Sequence, residues 1–159
     1  MEIRTLFKKP QHIKAVSKMI YNEFVVKTPS TKSLNDVECY FSETKEASFP
    51  ITFIATIDRK CVGTVSLFEN DCAERPQYKP WLASLYVEPE FRSKKIAQQL
   101  IDYLKEYLKN LGYSEVYLKT ENASAYYIKR GWDLVESIKN HHGEKVDIFK
   151  MVLINKTSI

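Results

Sequence analysis

The feature that most narrows the possible folds is an unbroken succession of strand, turn and helix over residues 81–112, WLASLYVEPEFRSKKIAQQLIDYLKEYLKNLG. Trp81 to Val87 is a short apolar stretch with aromatic and β-branched content, bounded by Pro80 and Pro89, which suits a buried strand. A polar turn, Glu88 to Lys95, follows. From Ile96 the apolar residues Ile96, Ala97, Leu100, Ile101, Leu104, Leu108 and Leu111 recur at the spacing of one helix face, and Gly112 supplies the stop. Arg92, Lys94 and Lys95 crowd the start of this helix, where unpaired N–H groups and the helix dipole already favour an anion. Lysines are unfavourable there unless something anionic sits near them. A phosphate site and a solvated basic first turn are the two readings of that spot.

The rest of the chain supplies elements around this unit. Glu2 to Leu6 reads as a first strand, and Pro10 opens a helix with Ile13, Val16, Met19, Ile20 and Phe24 on one face, ending before Lys27. Ser33 is placed to cap a second, shorter helix through Tyr40 and Phe41. Ile51 to Ile57 and Cys61 to Phe68 form a hairpin about Asp58-Arg59-Lys60, and a loop over residues 69–79 leads into the Trp81 strand. Antiparallel pairing of those two strands brings Glu69 and Asn70 close to Trp81 and Ala83. Glu115 to Lys119 is a further strand, with Val116 and Leu118 on one face. Asn122 caps a short helix, Ala123 to Lys129, that stops at Gly131, and Trp132 to Ile138 with Val146 to Ile154 makes a last hairpin. The pattern is α+β, and 159 residues suit one domain spanning 1–159.

Composition excludes several classes. No apolar run approaches the roughly 18 residues that cross a membrane, and MEIRTLFKKP lacks the apolar core of a signal peptide, so a cytoplasmic protein with no membrane partner is expected. Cys39, Cys61 and Cys72 are irregularly spaced without a Cys-x-x-Cys pair, so neither a disulfide framework nor a metal site is expected, and each thiol reads as a small buried hydrophobe. His141 and His142, adjacent in the last loop, have no third ligand nearby and read as exposed loop residues. A net charge of +4 with scattered lysines lacks the basic stripe of a nucleic-acid binder, though it would help attract an anionic small molecule.

LYVEPEFRSKKIAQQLI resembles the acyl-coenzyme A signature of the GNAT superfamily of N-acetyltransferases, whose turn reads [Gln/Arg]-x-x-Gly-x-[Gly/Ala]. Arg92 and Ala97 match the first and last positions, whereas Lys95 replaces the glycine that lets the backbone approach a pyrophosphate. VGTVSLFEND before the turn and TENASAYYIKRGW after it resemble the neighbouring strand and the later motif of the same superfamily, so the likeness runs from about Val62 to Trp132.

The resemblance implies a mixed, mostly antiparallel sheet of about seven strands flanked by four helices, with acetyl-coenzyme A as co-substrate and no metal. It places the pyrophosphate on the N–H groups of Ser93, Lys94, Lys95, Ile96, Ala97 and Gln98, with Arg92 in the same cofactor-binding turn, and the pantetheine arm beside Leu85, Tyr86 and Val87, whose N–H groups would also stabilise the oxyanion. Asn122 loosely matches an asparagine that contacts that arm. Tyr127, four residues before Gly131, matches the tyrosine that protonates the leaving thiolate, although a core aromatic is the other reading of Tyr126 or Tyr127. Glu69, carried toward the acetyl group by hairpin geometry, is the candidate base, against a solvated loop carboxylate. Lys119 stands where the branch acting on ribosomal protein termini has a glutamate, which argues against that branch. The implied function is acetyl transfer to a primary amine of a small molecule or protein, and Lys95 motivates the alternative of a non-catalytic acyl-coenzyme A binding domain. The last hairpin leaves an edge that a second copy can cover, so the oligomeric state stays open with a homodimer as one outcome.

Overall fold

The computed structural model describes residues 1–153. The strands are β1 (Glu2–Thr5), β2 (Ile51–Ile57), β3 (Lys60–Phe68), β4 (Trp81–Val87), β5 (Glu115–Thr120), β6 (Asp133–Lys139) and β7 (Lys145–Val152). The helices are α1 (Ile13–Ile20), α2 (Leu34–Ser42), α3 (Ile96–Asn110) and α4 (Ser124–Lys129). One seven-stranded sheet runs in the order β1-β2-β3-β4-β5-β7-β6, antiparallel at every junction except β4 with β5. The expected α+β sheet flanked by four helices is what forms. The last strand was expected to reach Ile154, which lies outside the described residues.

Helices cover both faces of the sheet, which explains why β2 and β3 read as continuous apolar runs rather than as alternating strands. Phe53 and Val65 face α3, where Leu100, Leu104 and Leu108 are fully buried, whereas Ile54 and Cys61 pack on the other face against Val16 and Ile20 of α1 and Phe41 of α2. Each of those α3 leucines contributes about 2 kcal/mol of apolar burial, so packing rather than helix propensity holds α3 on the sheet. Tyr103 and Tyr107 lay their edges against Phe53 at centroid distances of 5.6 and 5.0 Å. A parallel β4–β5 pair needs a crossover, and α3 is that crossover.

Three local expectations are corrected. Phe24 does not join the buried face of the first helix, because Tyr21–Val25 winds as a wider π-helical turn that rotates its ring outward to 41% exposure. Asn122 does not cap α4: Ala123 is the N-cap residue, and its N–H donates to Thr120 Oγ1 at 3.0 Å. Cys39 is exposed on α2, while Cys61 and Cys72 are buried. The cap at Ser33 forms as expected, with Ser33 Oγ accepting from Asp36 N–H at 3.0 Å and Asp36 Oδ2 accepting from Ser33 N–H at 2.9 Å.

Candidate active site

β4 is bent by its own sequence position in the sheet. Thr64 pairs with Tyr86 and Ser66 with Ala83, so two steps on β3 oppose three on β4, and the extra residue is accommodated at Ser84, whose φ is 54°. Such a bulge takes backbone groups out of the ladder and turns the strand. On its other side β4 pairs with β5 at one rung only, Trp81 to Tyr117. That rung is held by an aromatic cluster: Trp81 Nε1–H donates to Tyr78 O at 2.7 Å, and Tyr78 stacks on Tyr117 at 4.7 Å. Beyond it the two strands diverge.

The divergence opens a cleft of about 640 Å³ walled by Leu82 to Leu85 on one side and Leu118 to Ala123 on the other, with Tyr127 reaching in from α4. Leu85 and Tyr86 are partly exposed and Val87 is buried. Asn122 lines this cleft although it caps nothing. Tyr127 is wedged among Tyr126, Trp132 and Phe149, and burial pushes its hydroxyl up to about 12, Tyr126 adding to the rise and Arg130 opposing it. Among the described residues that hydroxyl has no hydrogen-bond partner.

At the far end of β4 the basic turn wraps a second hollow of about 570 Å³ whose lining includes Arg92, Ser93, Lys95, Ile96, Ala97 and Gln98. Lys95 adopts φ 64° and ψ 18°, the left-handed conformation that glycine takes without strain, and Ser93 has φ 64°. The first intrahelical bond of α3 runs from Gln99 N to Lys95 O, which leaves the N–H groups of Ile96, Ala97 and Gln98 directed past the helix end. Arg92 is fixed there by donating from Nε to Val87 O at 2.8 Å with its guanidinium 5.4 Å from the Tyr86 ring centroid. Lys129 and Arg130 line the opposite wall, Arg130 lying 3.5 Å over the Tyr126 ring, while Lys94 sits 5.4 Å from the Phe91 ring. Free N–H groups, an αL turn and fixed cations suit a pyrophosphate, and the cleft below suits an extended amide-bearing arm.

A larger cavity of about 960 Å³ lies on the α2 side, bounded among others by Phe24, Tyr40, Phe49, Phe68 and Glu69. It meets the β4–β5 cleft at four residues that line both, Phe24, Thr28, Asp71 and Ser84. Glu69 stands in the wall of this cavity, exposed and 3.7 Å from Lys79 Nζ. Asp71, two residues on, is at the junction itself. Burial pushes its carboxyl up to about 6, with the charge of Lys119 pulling the other way. Sequence reasoning missed Asp71 because nothing local distinguishes it from the other acids of a polar loop. Its signal is tertiary, since desolvation comes from elements distant in sequence.

Loop 69–79 is held to the last hairpin. Arg75 donates to Glu136 through Nε at 3.0 Å and Nη2 at 2.6 Å, and Tyr78 Oη donates to the same carboxylate. His141, exposed as expected, lies 3.5 Å from Glu74 at its Nδ1. Among the described residues no group of three or more His, Cys, Asp or Glu side chains is arranged to hold a metal ion, and no helix is long and apolar enough to cross a membrane.

The profile of the Acetyltransferase (GNAT) family matches residues 17–132. A search of curated protein sequences gives no match. Among solved structures, an aminoglycoside 6'-N-acetyltransferase complexed with coenzyme A superposes with a TM-score of 0.76 at 18% identity, covering 98% of this chain and 99% of that one. The aminoglycoside 6'-N-acetyltransferase from Enterococcus faecium gives 0.75 at 18% identity over 98% and 99% of the two chains. The Salmonella typhimurium protein yncA, solved with its cofactor acetyl-CoA, gives 0.74 at 16% identity over 100% and 97%. At such identities these likenesses speak to the fold.

Proposed function

The chain belongs to the acetyltransferase (GNAT) family, and from that premise we propose that it is an acetyl-CoA-dependent N-acetyltransferase acting, as one domain over residues 1–159, on the primary amine of a small molecule. The observation that carries this reading is the junction of two cavities at Asp71, beside the β4 bulge and with Tyr127 in the cleft wall. Aminoglycoside acetyltransferases among the structural neighbours are compatible with that acceptor class.

Acetyl-CoA, when bound, supplies the thioester whose acetyl group moves. Ile96, Ala97 and Gln98 N–H groups with Arg92, Ser93, Lys94 and Lys95 hold its pyrophosphate, and the freed edge of β4 at Leu85, Tyr86 and Val87, with Asn122 opposite, holds its arm. Asp71 takes one proton from the bound ammonium so that the nitrogen lone pair can attack the acetyl carbon, and the second N–H proton, lost as the amide forms, passes to solvent. We assign this role to Asp71 in preference to Glu69, which is solvated and paired with Lys79. An amine has a pKa near 10, and raising Asp71 from 3.8 to about 6 narrows the mismatch by about 3 kcal/mol. N–H groups released by the bulge donate to the carbonyl oxygen as it gains charge. The carbon–sulfur bond breaks, and Tyr127, which burial keeps protonated, donates to the departing sulfur. A phenol near 12 surrenders its proton to a thiolate near 8.5 only uphill, so Tyr127 acts mainly as a hydrogen-bond donor until solvent completes the transfer. The αL conformation of Lys95 supports cofactor binding, which the non-catalytic alternative shares.

The test is release of free thiol from acetyl-CoA across a panel of primary amines. Because Asp71 works as the carboxylate, kcat/KM should rise with pH through about 6, and Asp71→Asn should lower it by about 10²-fold and erase that limb. An unchanged acid limb in the variant would remove Asp71 from the mechanism.

A further inference from the structure

We infer that the acceptor cavity is built for an amine carried on a flat apolar body, an arylalkylamine bound as a single cation; this rests on reading that cavity as the acceptor site. Large aromatic side chains are normally withdrawn from solvent, and clusters left exposed mark binding surfaces. Here Phe24 and Tyr40 are 41% and 42% exposed, and both line the cavity together with Phe68. Tyr40 is held edge-on to Phe41 at 5.4 Å and to Phe68 at 5.8 Å, so the wall is a fixed aromatic corner rather than loose side chains. Phe24 faces the cavity because the π-helical turn at Tyr21–Val25 turns it out of the α1 packing face.

The charges narrow the class further. Of the acids that line the cavity, Asp36 is engaged by the Ser33 N–H at 2.9 Å and Glu69 by Lys79 at 3.7 Å, while Glu43 is exposed. Asp71 is the acid at the inner end, with Lys119 acting on it from β5 and Tyr40 feeling its charge from α2. Lys32, in the same wall, disfavours a second cation. One ammonium directed at Asp71 across ring faces gains both charge pairing and cation–π attraction. A polyhydroxylated amine has no flat apolar face to lay on the Phe24, Tyr40 and Phe68 rings, and a linear diamine would bring a second charge into the wall that holds Lys32.

The test is calorimetric titration of phenethylamine, putrescine and glucosamine into the protein in the presence of CoA, run beside thiol release. Phenethylamine should bind at least tenfold more tightly than the other two. Phe24→Ser should weaken it about fivefold to tenfold while leaving the unfolding midpoint nearly unchanged, since the ring is 41% exposed. Equal or tighter binding of putrescine or glucosamine, or wild-type affinity in Phe24→Ser, overturns the inference, and thiol release with either hydrophilic amine would then leave the acetyltransferase reading standing. Phenethylamine binding in that order of preference without thiol release from any amine keeps the inference about the cavity and overturns the transferase reading.

Discussion

Lys95 shows how one residue can depart from a motif and keep its shape. A lysine in the left-handed region costs about 1 kcal/mol relative to a right-handed residue, and the turn accepts that while placing a cation beside the helix N-terminus. Lys95→Gly should therefore leave the fold intact and raise the Kd for acetyl-CoA only about twofold to fivefold, with a shallower salt dependence, as removal of one exposed charge predicts. Tightening of binding in that variant would mean that the side chain obstructs the phosphate. Tyr127→Phe should lower kcat about 10²-fold with little change in the KM for acetyl-CoA, because a hydrogen bond to the leaving sulfur exists only as charge develops. Asp71 links function to stability. Its folded pKa, about 6, exceeds the ordinary 3.8, so the folded state binds more protons across that interval and stability falls as pH rises through it. Asp71→Asn should consequently melt higher than the parent at pH 8, by up to about 3 kcal/mol in stability, while turning over more slowly.

Among the elements, the loop over residues 69–79 matters most, because Asp71 is only as well placed as that loop. The Glu136 carboxylate accepts from Arg75 and Tyr78, which hold it down to about 2. A folded pKa below the ordinary 4.5 means the contribution is complete above that value and is lost as pH falls toward 2, so the clasp is fully set at neutral pH. Glu136→Gln should loosen the loop, raising the KM for the amine several-fold with little effect on acetyl-CoA, and hydrogen exchange should quicken at residues 69–79 before it does elsewhere. The β4 bulge is the complementary device. It opens the cleft on one side of the strand while β3 keeps the other side fixed.

Across the whole molecule, the sheet sets the basic turn at one end of β4 and brings the β4–β5 cleft and the cavity over α2 together at Asp71. Binding at the turn should be felt globally, since α3 joins the turn to the main core. Saturation with acetyl-CoA at about 100 times its Kd should add about 2.7 kcal/mol and raise the unfolding midpoint by roughly 5 to 10 °C. No rise at millimolar ligand would mean that the turn does not hold a pyrophosphate.

What was legible in the sequence was whatever short-range physics sets: the period of α3, the apolar runs of β2 and β3, the Ser33 capping box and the basic turn opening a helix. Those signals lie within a few residues of one another, and the order of elements followed from them. Phe24 and Asn122 were misread locally, because a π-helical turn shifts the helix face and the short helix starts one residue later than expected, with Ala123 as its N-cap. The placement of Asp71 was not written in any such window. A carboxylate becomes a base near neutral pH only when distant elements exclude water around it, so the proposed catalytic junction belongs to the tertiary structure, while the sequence alone determined the scaffold and the basic turn.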